Sequence, residues 1–85
     1  MSNSVKLRVP ENFEMTTVEV FRTNVLTATQ AARLLRLMIK RFPDYKANFD
    51  LEDCYKVLRV EADDVCADDV IALVTERGFA CNVLE

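Results

Sequence analysis

Apolar and polar residues alternate along several short segments of the chain, a pattern that is typical of half-buried strands. In the first of them, Val18 and Val20 share one face of a β-branched run and Phe21 lies on the other. The second has the clearest register, and the third returns from a short polar turn, so together they predict a β-hairpin. The four predicted strands cover residues 16–23, 45–51, 55–61 and 79–84.

Two other segments repeat their apolar residues every three to four positions, as amphipathic helices do. The first helix is predicted to begin after Thr27, whose hydroxyl can accept a first-turn N–H, and Gln30 completes a capping-box pattern. Pro43 ends it, because the residue before a proline disfavours helix. The second covers about residues 66–77, and Gly78 stands where a left-handed cap belongs. The apolar face of the first helix is predicted to comprise Ala28, Ala31, Ala32, Leu34, Leu35, Met38, Ile39 and Phe42.

The resulting order, strand-helix-strand-strand-helix-strand, predicts an α+β domain with a ferredoxin-like βαββαβ fold. Two right-handed crossovers joined by a hairpin give a four-stranded antiparallel sheet in the order four, one, three, two, with both helices on one face. This domain should comprise residues 16–85. Residues 1–15 have no sustained periodicity and contain Pro10, so we expect a flexible N-terminal arm or, at most, an edge strand that ends at Pro10.

Length and composition restrict the class of protein. The chain has 85 residues, of which 51% are apolar and 29% charged, as in a single globular domain. No apolar run approaches the roughly 20 residues that a membrane span needs. Residues 1–15 lack the apolar centre of a signal peptide, so we expect a cytoplasmic protein without a membrane partner.

Three features carry a family resemblance: the strand-loop-helix over residues 18–35, the hairpin over residues 49–60, and the turn Arg77-Gly78-Phe79. With them, residues 16–84 resemble the heavy-metal-associated domains of copper chaperones and metal-transporting ATPases. In that family the strand-helix loop carries a Met, then a Thr or Ser, then Cys-x-x-Cys, whose thiolates bind a soft ion such as Cu(I).

The resemblance places the family's Met position on Val25 and its two cysteine positions on Thr27 and Gln30. A hydroxyl and a neutral amide are poor ligands for a soft ion. The resemblance therefore implies a member that lacks the metal site and has no cofactor, and in which these two residues cap the helix.

The remaining candidates for chemistry are few. Cys54, Cys66 and Cys81 are too widely spaced for a Cys-x-x-Cys pair. Cys54 is the alternative site for metal or thiol handling, either alone or shared across a dimer, because the topology brings its turn to the same end of the domain as Thr27 and Gly78. Cys66 is expected at the other end, and Cys81 in the core.

Catalysis is not expected. The chain contains no histidine, no Gly-rich phosphate loop, and no Ser or Cys with an evident partner base. The acidic residues 63–69 lack the spacing and the glycine of a calcium loop, so we interpret them as a solvated loop and helix start.

The charges suggest a binding surface instead. The net charge is −3, but basic residues dominate residues 22–46 and acidic ones dominate residues 50–69. Such segregation favours docking to a complementary partner or a second copy. The predicted partner-binding residues are Arg33, Arg36, Leu37 and Lys40, with Leu37 as an exposed apolar side chain on a basic face.

Nucleic acid is not the expected partner, because the net charge is negative and the aromatic residues Tyr45, Phe49 and Tyr55 are expected in the core. The sequence thus predicts a non-catalytic interaction or adaptor module, as a monomer or weak homodimer, without indicating its protein partner or its pathway.

Overall fold

A computed structural model describes residues 16–84. The strands are β1 (Thr17–Thr23), β2 (Lys46–Asp50), β3 (Val57–Ala62) and β4 (Cys81–Val83), and the helices are α1 (Ala28–Arg41) and α2 (Ala67–Glu76). They form an α+β domain with one four-stranded antiparallel sheet. The strand order is β2-β3-β1-β4, which from the opposite edge is β4-β1-β3-β2. The arm expected over residues 1–15 lies outside the described residues.

The core lies between one face of the sheet and the two helices. Phe21 of β1 is opposite Leu58 of β3, which in turn is opposite Phe49 of β2, so the three side chains share this face. Buried side chains of both helices belong to the same cluster. Its fully buried members are Phe21, Val25, Leu34, Met38, Leu58, Val60, Val70 and Val74.

The start of α1 confirms the predicted capping box. Thr27 has an extended backbone, its Oγ1 accepts the N–H of Gln30 at 3.1 Å, and the Gln30 Oε1 accepts the N–H of Thr27 at 3.3 Å. Helix α1 ends at Arg41, and its C-cap is Phe42, the residue before Pro43.

The buried face of α1 is narrower than predicted. Ala31, Leu34, Met38 and Phe42 are buried, but Ala28 and Ala32 are exposed and Ile39 is 62% exposed. The position of α2 explains the difference, because it covers one flank of α1 and leaves the flank that carries Ile39 open.

The hairpin begins its return later than predicted. Lys56 has a positive φ of 49°, which breaks the extended conformation, so β3 starts at Val57 and not at Tyr55. The connecting loop is ordered by Asp53, whose Oδ1 accepts the N–H of Tyr55 at 2.9 Å and whose carbonyl accepts the N–H of Lys56 at 2.9 Å. As a result Tyr55 is 48% exposed, and its expected place in the core is wrong.

The N–H at the start of helix α2 donates its hydrogen bond to a residue of the α1–β2 connection. Its N-cap, Cys66, makes no side-chain capping bond, but the Tyr45 hydroxyl accepts the Cys66 N–H at 2.9 Å. At the other end Arg77 is the C-cap and not part of the last turn, and Gly78 has a φ of 92°, as expected of a left-handed position.

Candidate functional site

The β1–α1 junction, residues 23–30, is closed by hydrogen bonds from its own side chains. The Thr23 hydroxyl donates to the carbonyl of Lys56 at 2.6 Å and accepts the N–H of Val25 at 3.2 Å. The Asn24 Oδ1 accepts the N–H of Ala80 at 2.8 Å. The junction is thereby attached to both the hairpin loop and the segment before β4, which brings the turns near Thr27, Cys54 and Gly78 to one end of the domain, as predicted.

Thr27 and Gln30 have their polar side-chain atoms engaged in hydrogen bonds. Besides the Thr27 N–H, the Gln30 Oε1 accepts the N–H of Leu26 at 3.1 Å. Val25 is fully buried in the core. These residues satisfy backbone donors of the first turn of the helix, and they offer no thiolate to a soft ion.

The three thiols occupy different environments. Cys54 is exposed in the hairpin loop, beside Tyr55, whose carbonyl accepts the Thr23 N–H at 3.0 Å. Cys81 pairs with Thr23 across the β1–β4 ladder and is buried, as expected, and this burial raises the pKa of its thiol from 9.0 to about 11. Cys66 is exposed at the opposite end of the domain. Within residues 16–84, no three Cys, Asp or Glu side chains are grouped as a metal site.

The outer surface of α1 is the most charged helical face of the domain. Arg33, Arg36 and Lys40 are exposed, and the helix contains no acidic residue. Lys40 lies in the last turn, where the helix dipole favours a cation. Arg41 instead places its guanidinium 4.8 Å from the centre of the Phe42 ring.

Leu37 is half-buried and not fully exposed as predicted. It lines an open cleft of about 380 Å³ between the helices, together with Lys40, Arg41, Leu73 and Arg77. Leu37 therefore has basic neighbours, but it lies in the cleft and not as an exposed side chain on the outer face of α1.

Ile39 is an exposed apolar residue that the sequence pattern placed in the core. It lies about 200° around the helix from Leu37, on the flank away from α2. Arg36 precedes it by three positions and is therefore its neighbour on the helix surface. The sequence alone could not distinguish Ile39 from Leu37, because both lie at the border of the apolar stripe.

The opposite charge collects where β3 leads into α2. Asp44, Glu61, Asp63 and Asp64 line an open cleft of about 530 Å³, which Lys46 also borders. Asp63 and Asp64 are exposed, as expected of a solvated loop. The basic surface of α1 and this acidic cleft are thus separate surfaces of one small domain.

Comparison of the chain with protein-family models, with curated proteins and with solved structures finds no match. The fold and the surfaces described above are therefore the basis for assigning a function. Neither α1 nor α2 has the length and apolar character of a bilayer-spanning helix, and the described residues contain no other helix.

Proposed function

We propose that this chain is a ferredoxin-like, heavy-metal-associated-like domain that has no metal site and serves as a non-catalytic protein-interaction or adaptor module. The observation that carries the proposal is the exposed surface of α1, which carries the cations Arg33, Arg36 and Lys40 and an isoleucine, Ile39, that is 62% exposed and has Arg36 as its neighbour. A large apolar side chain on a surface with several cations suits a partner that presents an apolar pocket bordered by carboxylates.

The β1–α1 junction supports the part of the proposal that concerns metal. In the family that the chain resembles, the junction is the metal site, whereas here Thr27 and Gln30 bond to each other's backbone. Those bonds stabilise the start of α1, and a soft cation would gain only weak oxygen and nitrogen ligands there.

The sheet surface argues against nucleic acid as the partner. The strand residues on the face opposite the helices include Val20, Arg22, Asn48 and Arg59, and the registers of the four described strands put no aromatic side chain on this face. Sequence-tolerant binding of single strands relies on such aromatic platforms.

A metal titration tests the first part of the proposal. We expect no stoichiometric binding of Cu(I) or Zn²⁺ tighter than micromolar under reducing conditions. The second candidate function, metal or thiol handling through the exposed Cys54, predicts the opposite result, with metal-dependent dimerisation that Cys54→Ser abolishes. Tight binding that survives Cys54→Ser would contradict both functions.

Affinity capture with matched variants tests the interaction surface. We expect proteins that are retained by the wild-type chain to be lost from the double variant Arg36→Glu/Ile39→Ser. Arg59→Glu is the control, because Arg59 is an exposed arginine on the far face of the sheet. An unchanged set of captured proteins in the α1 variant would remove this surface from the proposal.

A further inference from the structure

Strand β2 lies at an edge of the sheet that the described residues form, and β3 is its neighbour in that sheet. An exposed edge presents backbone N–H and C=O groups that can pair with another strand. We propose that β2 is a self-association edge, through which two copies of this chain pair antiparallel about a two-fold axis at Asn48.

The hydrogen-bonding pattern decides which β2 residues are available. The Val20 carbonyl accepts the Leu84 N–H at 2.8 Å, so the backbone groups of Val20 point toward β4. Because these groups alternate in direction along a strand, the backbone groups of Phe21 point toward β3. The backbone groups of Leu58, its partner in β3, point back toward β1.

The same alternation continues across β3. The backbone N–H and C=O groups of Arg59 point toward β2, where Arg59 pairs with Asn48. The backbone groups of Asn48 therefore bond inward to β3. Ala47 and Phe49, its two neighbours along the strand, therefore direct their N–H and C=O groups outward. A partner strand has to align its own outward groups with these two residues.

Antiparallel pairing about Asn48 satisfies this requirement. Ala47 of one copy then lies opposite Phe49 of the other, and each such pair can exchange two backbone hydrogen bonds. The small and the large side chain meet on the half-buried, helix-facing side of the sheet. A shift of the register by one residue would place outward groups opposite inward groups and is excluded.

The charges at the two ends of the strand match the same register. Lys46 and Asp50 are exposed on the open face of the sheet, and pairing about Asn48 puts Lys46 of each copy opposite Asp50 of the other. A lysine on an edge normally discourages pairing. Here its charge is neutralised by the partner copy, and the arrangement occurs twice because of the symmetry.

The carboxylate of Asp50 is available for this contact. One of its carboxylate oxygens accepts the Glu52 N–H at 3.2 Å, which holds the side chain at the end of the strand. Lys46 lies across the ladder from Glu61 in its own chain. A variant at Lys46 therefore changes an internal neighbour as well, and the experiment must separate the two effects.

Exchanging the charges of residues 46 and 50 in the full chain separates the effect on dimerisation from the effect on Glu61. Sedimentation velocity at several concentrations measures the association constant. We expect the wild-type chain to dimerise in a concentration-dependent way. Lys46→Asp or Asp50→Lys alone should lower the association constant about tenfold or more, because like charges then face each other at both ends of the joint. The double variant Lys46→Asp/Asp50→Lys, or an equimolar mixture of the two single variants, should restore dimerisation.

Glu76→Lys is the control, since it makes the same charge change as Asp50→Lys at an exposed residue of α2 without touching β2, and it should dimerise as the wild type does. Amide NMR signals of Ala47 and Phe49 should shift with concentration in the wild type. A wild-type chain that stays monomeric at millimolar concentration would overturn the proposal, and so would a dimer that is indifferent to both single charge changes.

Discussion

Thr27 and Gln30 illustrate how two side chains can stabilise the start of a helix. Each side chain accepts a backbone N–H of the other residue, at 3.1 and 3.3 Å. Both N–H groups belong to the first turn of α1 or its cap, where no intrahelical acceptor exists. The spacing of the pair was enough to predict this arrangement, because a capping box depends on local geometry alone.

Thr27→Ala should therefore reduce the free energy of unfolding by about 1 kcal/mol, since one first-turn N–H loses its acceptor. Urea denaturation followed by circular dichroism measures this change. Thr27→Ser keeps the hydroxyl and should remain close to the wild type. Equal loss of stability in both variants would show that the threonine methyl, and not the hydrogen bond, is responsible.

At the scale of elements, the end of α1 and the start of α2 are linked through Tyr45. Its ring stacks on Phe42 with a centroid distance of 4.7 Å, and its hydroxyl accepts the Cys66 N–H at 2.9 Å. Tyr45 also leads directly into β2. One side chain thus fixes where three elements meet, although it was expected only as a core aromatic.

Tyr45→Phe removes the hydroxyl and keeps the stacked ring. We expect a loss of about 0.5–1.5 kcal/mol in the free energy of unfolding, the usual contribution of one hydrogen bond. Hydrogen exchange should locate the effect at the first turn of α2, while the amides of α1 stay protected. Phe42→Leu is the complementary variant, because it weakens the stack but leaves the acceptor in place.

Over the whole molecule, the fold places the three thiols in different environments. Burial raises the pKa of the Cys81 thiol to about 11, whereas an unfolded thiol ionises near 9.0. As pH rises above 9.0 the unfolded chain loses this proton first. The contribution of the neutral, buried Cys81 thiol to the free energy of unfolding is complete below about pH 9 and is lost as pH rises through about 11.

We therefore expect the wild-type chain to lose stability between pH 9 and 11 more steeply than Cys81→Ala, which lacks the buried thiol. Cys66→Ala is the matched control, because Cys66 is exposed, and it should follow the wild-type pH dependence. Denaturation midpoints at a series of pH values provide the comparison. Parallel curves for wild type and Cys81→Ala would contradict a buried neutral thiol.

The order of elements and the start of α1 could be predicted from the sequence. Alternation, helical period and capping residues act over a few neighbouring positions, so they can be recognised without the fold. The register of the predicted hairpin was less accessible, because the left-handed conformation of Lys56 has no sequence signal comparable to glycine.

The surfaces depended on the tertiary structure. Leu37 and Ile39 have the same sequence character, and only the position of α2 determines that Leu37 is half-buried in the cleft with Leu73 while Ile39 is 62% exposed. Likewise, the outward backbone groups of Ala47 and Phe49 follow from the pairing of β2 with β3 and of β3 with β1. The sequence by itself determined which segments form strands and helices and how α1 begins, because those are local interactions. Packing between distant segments decided which residues remain free to bind.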